Sequence, residues 1–408
     1  MDALPIGRRV AYWRNRRRMS QQVFADRLGK SKSWVDKVER GARRLDKFSV
    51  VHEIAEVLQV DMQVLFGEDL ERRPEDPNGV DPVEIEGIRA QLERCNHLIA
   101  PFHPPSELPP LEEMRKAVAH AWLSFQHARY GMLARTLPRL LRQAQAADSA
   151  YGDGPCATEA AHLLGQIGQI SAAVLHKLGE YELARIAADR SVLASQRAGD
   201  QLLVGVAMKR VSMALLSLGR ARSALEINLN VAYRLAPRTG DPSPERISVY
   251  GILLLQAAVA AARIGDGATV RDLLGAAEGA AQALAGDVNH CLTSFGPTNV
   301  ELYRAAAAVE LGEGRMAVQI HERLDHEGFN TLPAERRAQH YLNQARAQTL
   351  INDIEAAGAM LLAADRLAPS EVRCRPLAHE LLSNLLRRTR GTPSASLAEL
   401  ATHLSVSV

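Results

Sequence analysis

The sequence predicts an all-α fold in two parts, a compact N-terminal unit followed by a long array of helical hairpins. Aromatic residues make up only 4% of the 408 residues. The apolar residues are mostly Ala, Leu and Val, and Ala and Leu are strong helix formers. After residue 111, turn signals recur at similar intervals between apolar helical segments. Recurrence of this kind is typical of helical repeats.

Charge is distributed unevenly along the chain. The net charge is +2, with 49 Lys and Arg against 47 Asp and Glu. Residues 1–47 hold 14 basic and 5 acidic residues, a net charge of +9, so residues 48–408 carry −7. A short basic block on a mildly acidic body indicates a polyanion partner for the block, although a solvated arginine-rich face is the alternative.

Several classes of protein are disfavoured by the sequence. No run of 18 or more apolar residues occurs, so we expect no membrane span, and the first 18 residues lack the apolar segment of a secretory signal. The spacing of the cysteines favours free thiols in a reducing cytoplasm. The motifs GxxxxGK[ST], HExxH and GxSxG are absent. The four cysteines in question are Cys95, Cys156, Cys291 and Cys374. Taken together, these observations lead us to expect a cytoplasmic protein that is not an enzyme and has no cofactor.

The N-terminal unit is predicted to contain five short helices. Ser20 and Ser31 have the character of N-cap residues, because a hydroxyl can accept a hydrogen bond from the first turn of a helix. In the second helix, Val23, Phe24 and Leu28 are expected to face inward. The predicted helices are Pro5–Arg18, Gln21–Leu28, Lys32–Arg40, Phe48–Val57 and Asp61–Phe66.

The stretch SQQVFADRLGKSKSWVDKVERG, residues 20–41, resembles the lambda-repressor-like (Xre) helix-turn-helix family. The family pattern has a polar-Gln pair, an Ala within the second helix, a Gly in the turn, a Ser cap, an aliphatic anchor and a closing Glu-x-Gly. The matching residues are Ser20, Gln21, Ala25, Gly29, Ser31, Val35, Glu39 and Gly41. The resemblance implies a five-helix DNA-binding domain whose third helix lies in the major groove.

Carried over by position, the resemblance assigns DNA contacts to Gln21, Ser31, Lys32, Ser33, Trp34, Lys37, Arg43 and Arg44. Lys32, Ser33 and Lys37 would face base edges, since Lys donates to guanine acceptors and Ser pairs with several bases. Gln21 and the two arginines would contact phosphates. Trp34 would contact the sugar-phosphate edge or a thymine methyl, or else cover the core. Residues that are either further phosphate contacts or a solvated face are Arg14, Arg16, Arg17 and Arg18.

Two proline-rich breaks follow this unit. Residues 68–82 are polar with three prolines, which predicts a linker, and residues 83–100 are predicted to form one amphipathic helix. A second break spans residues 101–110. His97 precedes this break and His103 lies within it, and without a third ligand nearby they are interpreted as surface residues rather than a metal pair. The predicted domains are residues 1–67, 68–110 and 111–408.

The rest of the chain is predicted to be an α-solenoid of tetratricopeptide-like hairpins, with a packed helical bundle as the alternative. The turn signals are Leu178-Gly179, Leu218-Gly219, Ile264-Gly265, Leu311-Gly312 and Ile351-Asn352. Their spacings of 40, 46, 47 and 40 residues fit helical hairpins. Residues 338–369 resemble a tetratricopeptide repeat. The residues that carry this resemblance are Tyr341, Ala345, Ala357, Ala364 and Pro369.

In such arrays the first helix of each hairpin lines a concave surface that binds peptides or partner proteins. With the turns as register marks, the ligand-binding candidates are Gln169, His176, Lys209, Arg210, Gln256, Arg263, Asn299, Tyr303, Asn343 and Arg346. Asn343 can pair with an extended peptide backbone, and Arg346 can hold a carboxylate. Their mostly basic character favours an acidic ligand. A solvated groove without a ligand is the alternative.

A helix-turn-helix unit followed by tetratricopeptide-like repeats resembles the peptide- or ligand-responsive transcription regulators of Gram-positive bacteria. The resemblance implies a homodimer on the two half-sites of a palindromic operator in double-stranded DNA. The array would then sense a signalling peptide or a small acidic ligand. The alternatives are a protein-docking scaffold with incidental DNA binding and, more remotely, an RNA-binding or antitoxin-like protein.

Overall fold

The computed structural model describes residues 6–41, 43, 48–60, 79–80, 82–93, 110–152, 154–237, 243–284, 286–389, 392–404 and 406. Within these ranges the regular secondary structure is helical and no β-strand occurs. The all-α prediction is therefore confirmed. The chain divides into two compact units, Met1–Pro77 with Asp81–Glu86, and Asn78–Val80 with Gly87–Val408. The predicted limits of the three domains stay predictions.

The helices described in the N-terminal unit pack around a small apolar core. They are α1 (Ile6–Arg16), α2 (Gln21–Arg27), α3 (Lys32–Glu39) and α4 (Phe48–Leu58). The side chains of Val10, Phe24, Val35, Ile54 and Leu58 are fully buried between these helices. The predicted helix at residues 61–66 lies outside the described residues.

The N-caps of α2 and α3 are formed as predicted. The hydroxyl of Ser20 accepts a hydrogen bond from the amide of Val23, and that of Ser31 accepts one from the amide of Trp34. The prediction that Val23 faces inward is wrong, because its side chain is 44% exposed. Successive helical residues are turned by about 100°. Once Phe24 faces the core, Val23 therefore points towards the edge of α2.

After residue 80 the described helices are α5 (Pro82–Glu93), α6 (Leu111–Gln126), α7 (Tyr130–Tyr151), α8 (Ala157–Lys177), α9 (Tyr181–Arg197), α10 (Gln201–Ser217), α11 (Ala221–Leu235), α12 (Pro244–Arg263), α13 (Gly267–Gln282), α14 (Pro297–Glu310), α15 (Gly314–Glu322), α16 (His326–Thr331), α17 (Ala334–Leu350), α18 (Ile354–Leu367), α19 (Pro369–Arg373), α20 (Pro376–Arg388) and α21 (Ala395–His403). A short 3₁₀ turn, His290–Leu292, precedes α14.

These helices form a two-layer array of hairpins. In the inner layer, α6, α8, α10, α12, α14 and α17 each pack against the next in that order. In the outer layer, α7, α9, α11, α13, α15 and α18 each pack against the inner helix that precedes them. Helix α17 also contacts α6, so the first and last inner helices meet. The predicted solenoid of helical hairpins is confirmed, and its inner layer is closed.

The five predicted turns connect inner helices to outer helices. Each has a residue with left-handed backbone, a conformation that favours Gly and Asn. The φ values are 83° for Gly179, 78° for Gly219, 80° for Gly265, 80° for Gly312 and 66° for Asn352. A sixth hairpin, formed by α6 and α7, was not predicted. Its turn has Ala128 at a φ of 55°, and neither Gly nor Asn marks this position in the sequence.

Helix α12 lies in the core of this array. It is the one described helix that is long and apolar enough to cross a membrane by length and composition alone. However, 78% of its apolar window is buried inside the protein, as in the core helix of a folded domain. Its length and hydropathy are therefore weak evidence for a membrane span.

A network of buried charges lies where the inner layer closes. The ammonium group of Lys177 is 2.5 Å from the Glu335 carboxylate and 2.7 Å from the Glu371 carboxylate. Glu371 is fully buried, accepts a hydrogen bond from the Tyr130 hydroxyl, and lies 2.5 Å from the Arg375 guanidinium. These contacts tie the first two hairpins to the segment after the last one.

We expect Glu371→Ala to lower the free energy of unfolding of the full chain by about 3–5 kcal/mol, because Arg375 would stay buried without its carboxylate. The matched control is Glu182→Ala, which removes an exposed carboxylate paired with Arg185 and should cost less than about 1 kcal/mol. Urea denaturation measures both values. Equal losses for the two variants would contradict a structural role for the buried network.

Candidate functional site

Helix α3 presents a polar, basic surface beside the apolar core. Lys32, Ser33 and Lys37 are exposed, and none of the described side chains pairs with them. The core side of the same helix carries Val35 and Val38, which are buried. The residues predicted to read base edges therefore lie on the side of α3 that the fold leaves open, as a recognition helix requires.

Trp34 lies at the edge of this surface and packs against the core while remaining partly exposed. The guanidinium of Arg43 is 5.8 Å from the centre of the Trp34 ring, within the range of a cation–π contact. The core interpretation of Trp34 thus agrees with the packing, whereas a contact of Trp34 with DNA stays a prediction. Arg44 lies outside the described residues.

A buried ion pair joins α1 to the end of α3. Arg14 donates two hydrogen bonds to the Glu39 carboxylate, at 2.5 and 3.0 Å, and a third to the Met19 carbonyl at 2.6 Å. The Gln21 amide also donates to Glu39, at 2.9 Å. Arg14, α2 and α3 are therefore held in one arrangement through Glu39. The predicted phosphate contact of Gln21 would require its amide to serve both partners or to move.

Arg17 is also part of the fold. Its guanidinium donates to the carbonyls of Leu58 and Gln59, at 2.6 and 2.9 Å, at the end of α4. The last carbonyls of a helix have no partner within that helix, so a nearby arginine is a natural donor to them. The expectation that Arg14 and Arg17 contact phosphate or form a solvated face is wrong, because both side chains are buried and bonded within the unit.

A family model described as a helix-turn-helix domain matches residues 5–65. The N-terminal unit is a helix-turn-helix domain. This helix-turn-helix domain supports the resemblance to Xre-like regulators and a role in DNA binding and transcription regulation. The match spans a small part of the 408-residue chain. No curated protein and no solved structure matches the chain. The assignment of the array to the tetratricopeptide family stays a prediction.

The second unit contains a partly open cavity, here called the inner cavity, between helices of the closed inner layer. Its volume is about 60 Å³. Each of five inner helices contributes to its wall, through Phe125 of α6, Arg210 of α10, Ile252 of α12, Tyr303 of α14 and Arg336 of α17. The wall is completed by the loop that precedes α14. A space of this size can hold several water molecules or one compact polar group.

Four predicted ligand-binding residues line the inner cavity: Lys209, Arg210, Asn299 and Tyr303. The sequence analysis missed Glu335 and Arg336, which also line it. Both lie in the first turn of α17, about two helical turns before Asn343, the first candidate that the turn at Asn352 placed on this helix. The proline at position 333 marks the start of this helix, but nothing in the pattern shows that its first turn faces α10.

The cationic groups of the inner cavity have few partners. Lys209 is 6% exposed, and no described carboxylate lies within ion-pair distance of its ammonium group. The Nε of Arg210 is buried without a hydrogen-bond partner, while its guanidinium lies 5.6 Å from the centre of the Phe125 ring. Arg336 donates to Asn299 at 2.8 Å and lies 4.3 Å from the centre of the Tyr303 ring.

The carboxylate nearest to these cations is Glu335, which is already paired with Lys177. Burial alone would raise the pKa of Glu335, but Lys177, Arg336 and Arg210 hold it at about 2, so Glu335 is ionised at neutral pH. Burial, together with Arg210 and Arg336, lowers the pKa of Lys209 well below its ordinary value. Among the described residues that line the inner cavity, the basic groups Lys209, Arg210 and Arg336 therefore outnumber the carboxylates, of which Glu335 is the one present.

The other predicted ligand-binding residues lie elsewhere in the array and bond to protein groups. Gln169 donates to the Leu203 carbonyl at 3.0 Å, and His176 Nε2 lies 2.9 Å from the Ser217 hydroxyl. Gln256 is buried and accepts a long hydrogen bond of 3.5 Å from the Tyr303 hydroxyl. These contacts do not bring the residues to one site.

The three remaining candidates are Arg263, which ends α12, and Asn343 and Arg346 in α17. Arg263 and Arg346 both pair with Glu310, at 2.5 and 2.9 Å, so the carboxylate that Arg346 holds is an internal one. Asn343 is 7% exposed and accepts a hydrogen bond from Gln339 at 3.3 Å. A ligand role for these residues stays a prediction.

The loop before α14 has unusual backbone geometry. Cys291, Leu292 and Ser294 have φ values of 49°, 57° and 51°, a region that residues other than Gly and Asn rarely adopt. Phe295 anchors the loop by filling the space above Gly251, where an added Cβ would lie 1.9 Å from the ring. Asn299 donates to the Ser294 carbonyl at 2.8 Å. Left-handed residues outside glycine are often found at functional sites, because such strain persists only where packing enforces it.

The described residues contain no group of three His, Cys, Asp or Glu side chains arranged to hold a metal ion. His97 and His103 lie outside those residues, so their interpretation as surface histidines stays a prediction.

Because Glu39 satisfies both Arg14 and Gln21, we expect Glu39→Ala to loosen the helix-turn-helix unit by about 3 kcal/mol or more. Hydrogen exchange of the amides of α1–α3 in the full chain measures this as faster opening. The control is Asp26→Ala, which removes an exposed carboxylate bonded to Gln22. It should leave the free energy of opening, derived from the exchange rates, unchanged within about 0.5 kcal/mol. Unchanged exchange in Glu39→Ala would contradict the structural role of the ion pair.

Proposed function

We propose that this protein is a transcription regulator that binds a palindromic operator as a homodimer and whose helical array responds to a signalling peptide or a small acidic ligand. The proposal includes no catalytic step, and it places the protein in the cytoplasm, where its DNA target is. The observation that carries it is the helix-turn-helix domain with its exposed basic recognition helix.

The distribution of basic residues supports DNA binding. Arg14 and Arg17 are used inside the fold, whereas Lys32, Lys37 and Arg43 remain exposed around α3. Solubility alone does not require exposed cations to be clustered on and beside one helix. Exposed Lys and Arg side chains supply most of the affinity of proteins for DNA by neutralising phosphates.

The homodimer is proposed because of the size of the recognition element. Helix α3 spans eight residues, so one copy reaches only a few base pairs. Helix-turn-helix proteins gain selectivity by placing two such helices in successive turns of the major groove. A palindromic site matches the two-fold symmetry of such a pair.

The sensing role is proposed because of the interior of the array. The inner cavity holds buried basic groups that form no ion pair with a carboxylate in the described part of the chain, an arrangement that is costly in a purely structural domain. A ligand can change DNA affinity only if it binds two states of the protein with different affinity. The closed inner layer is an element whose closure such a ligand could favour.

We expect Lys32→Ala and Lys37→Ala to relax sequence preference on an operator obtained by selection from random DNA. A base contact contributes about 1–3 kcal/mol of discrimination, so the ratio of operator to scrambled-DNA affinity should fall about tenfold for each variant. Arg43→Ala should instead weaken both affinities alike and reduce the slope of log affinity against log salt concentration by about 1.

Fluorescence anisotropy with the full chain at several salt concentrations measures these quantities. The control is Lys116→Ala, which removes an exposed Lys of the array and should change neither the ratio nor the slope. If the lysine variants of α3 lose affinity equally on both DNAs, the assignment of base contacts is wrong. Affinity of the wild-type chain that does not depend on salt would contradict DNA binding through the basic block.

A further inference from the structure

We propose that the inner cavity is the binding site for the oxyanion head group of a small polar molecule, held by Lys209, Arg210 and Arg336. Its use as a signal rests on the proposed function, because only a DNA-binding regulator would convert occupancy into a change of DNA affinity. The anion site itself is independent of that function.

The charge of the cavity is the first argument. Lys177, Arg375, Glu335 and Glu371 pair with one another. None of the described carboxylates forms an ion pair with Lys209, Arg210 or Arg336. Buried charges in folded proteins are ordinarily paired, since removing an ion from water has a large free-energy cost. An anion between α10 and α17 would provide the missing partner, and it would also favour the charged form of Lys209.

The available donors define the chemistry of the ligand. The buried Nε of Arg210 has no acceptor among the described residues. The Lys209 ammonium can donate three hydrogen bonds, and none of them goes to a described residue. Arg336 uses its Nε on Asn299 and leaves its two terminal nitrogens for another partner. Donors that converge from opposite helices suit the several oxygens of a phosphate or a carboxylate.

The size of the site excludes a long ligand in the inner cavity. Its volume of about 60 Å³ fits a head group. A second, larger space of about 250 Å³, here called the outer pocket, shares Gln126, Ser294 and Pro333 with the inner cavity. The outer pocket is lined by polar groups that include Asp287 and Asn289. We therefore assign the uncharged polar body of the ligand to the outer pocket.

The same geometry disfavours an extended peptide along the inner helices. The ion pairs of Lys177 with Glu335 and Glu371 occupy the place where such a groove would continue. Arg346, the residue predicted to hold a peptide carboxylate, is paired with Glu310. Of the two ligand classes that the sequence suggested, the structure favours the small acidic molecule.

The test is thermal unfolding of the full chain in increasing sodium phosphate or sodium succinate, each compared with sodium chloride at equal ionic strength. A specific anion should raise the melting temperature of the array by about 2 °C or more at concentrations well above its dissociation constant, and the rise should continue logarithmically with concentration. Stabilisation by phosphate alone indicates a phosphoryl head group, and stabilisation by succinate alone indicates a carboxylate. If neither anion exceeds chloride, the proposal is overturned.

Two variants separate a binding role from a structural one. Lys209→Met removes a buried amine that has no ion-pair partner among the described residues, so the anion-free protein should melt at the same or a higher temperature while the response to anion is lost. Arg336→Gln, at a partly exposed position, should weaken anion binding about tenfold or more. The control, Arg304→Met, removes an arginine paired with Glu278 and Glu301 and should keep the full response. An undiminished response in both cavity variants would overturn the proposal.

A separate arm tests the regulatory consequence by measuring operator affinity with the stabilising anion and with chloride at equal ionic strength. The difference should be present in the wild type and absent in Lys209→Met. A thermal shift without any change in operator affinity would leave the anion site standing and would overturn the sensing function. Because the thermal arm uses no DNA, failure of DNA binding does not affect its result.

Discussion

The burial of the Glu371 carboxylate is the constraint on which the organisation of the array depends. A carboxylate without solvent contact persists only when donors surround it, and here the donors come from Tyr130, Lys177 and Arg375. Tyr130 begins the outer helix of the first hairpin, and Lys177 ends the inner helix of the second. The solenoid must therefore close at this point. Closure turns what would be an open concave groove into a partly enclosed interior.

A partly enclosed interior changes what its side chains can do. In an open groove, Lys209 and Arg210 would be solvated and their charges would cost little. Across a closed inner layer they share a small cavity with Arg336, and the burial of Lys209 lowers its pKa. The same closure that stabilises the carboxylates thus leaves these basic groups without an ion pair to any described carboxylate. Stability and binding capacity are coupled through one network.

The helix-turn-helix unit also depends on a buried carboxylate that accepts hydrogen bonds from several helices. Glu39 accepts hydrogen bonds from Arg14 and Gln21 and fixes the angle between α1, α2 and α3. A fixed angle matters because the recognition helix must enter the major groove while the residues around it reach the phosphates. The basic residues divide into those that hold this geometry and those that face outward, and only the second group is available to DNA.

The sequence predicted the elements of the fold more completely than the interior of the site. Turn residues such as Gly179 and Asn352 can be recognised in the sequence, because left-handed backbone favours Gly and Asn. Ala128 has the same backbone conformation in its turn, but its residue type gives no such signal. The burial of Arg14 could not be inferred from its charge, because the sequence does not distinguish an arginine that binds phosphate from one that pairs with Glu39. Arg336 escaped prediction because its neighbours arise from closure between helices far apart in sequence.

The closure of the inner layer is tested most directly by a double-mutant cycle on Lys177 and Glu335, whose charged groups lie 2.5 Å apart although the residues are 158 positions apart in the sequence. The free energy of unfolding is measured for the wild type, Lys177→Met, Glu335→Gln and the double variant. A closed layer predicts a coupling free energy of about 1–3 kcal/mol. Additive effects within about 0.5 kcal/mol would show that the two helices do not meet in solution and would contradict the account.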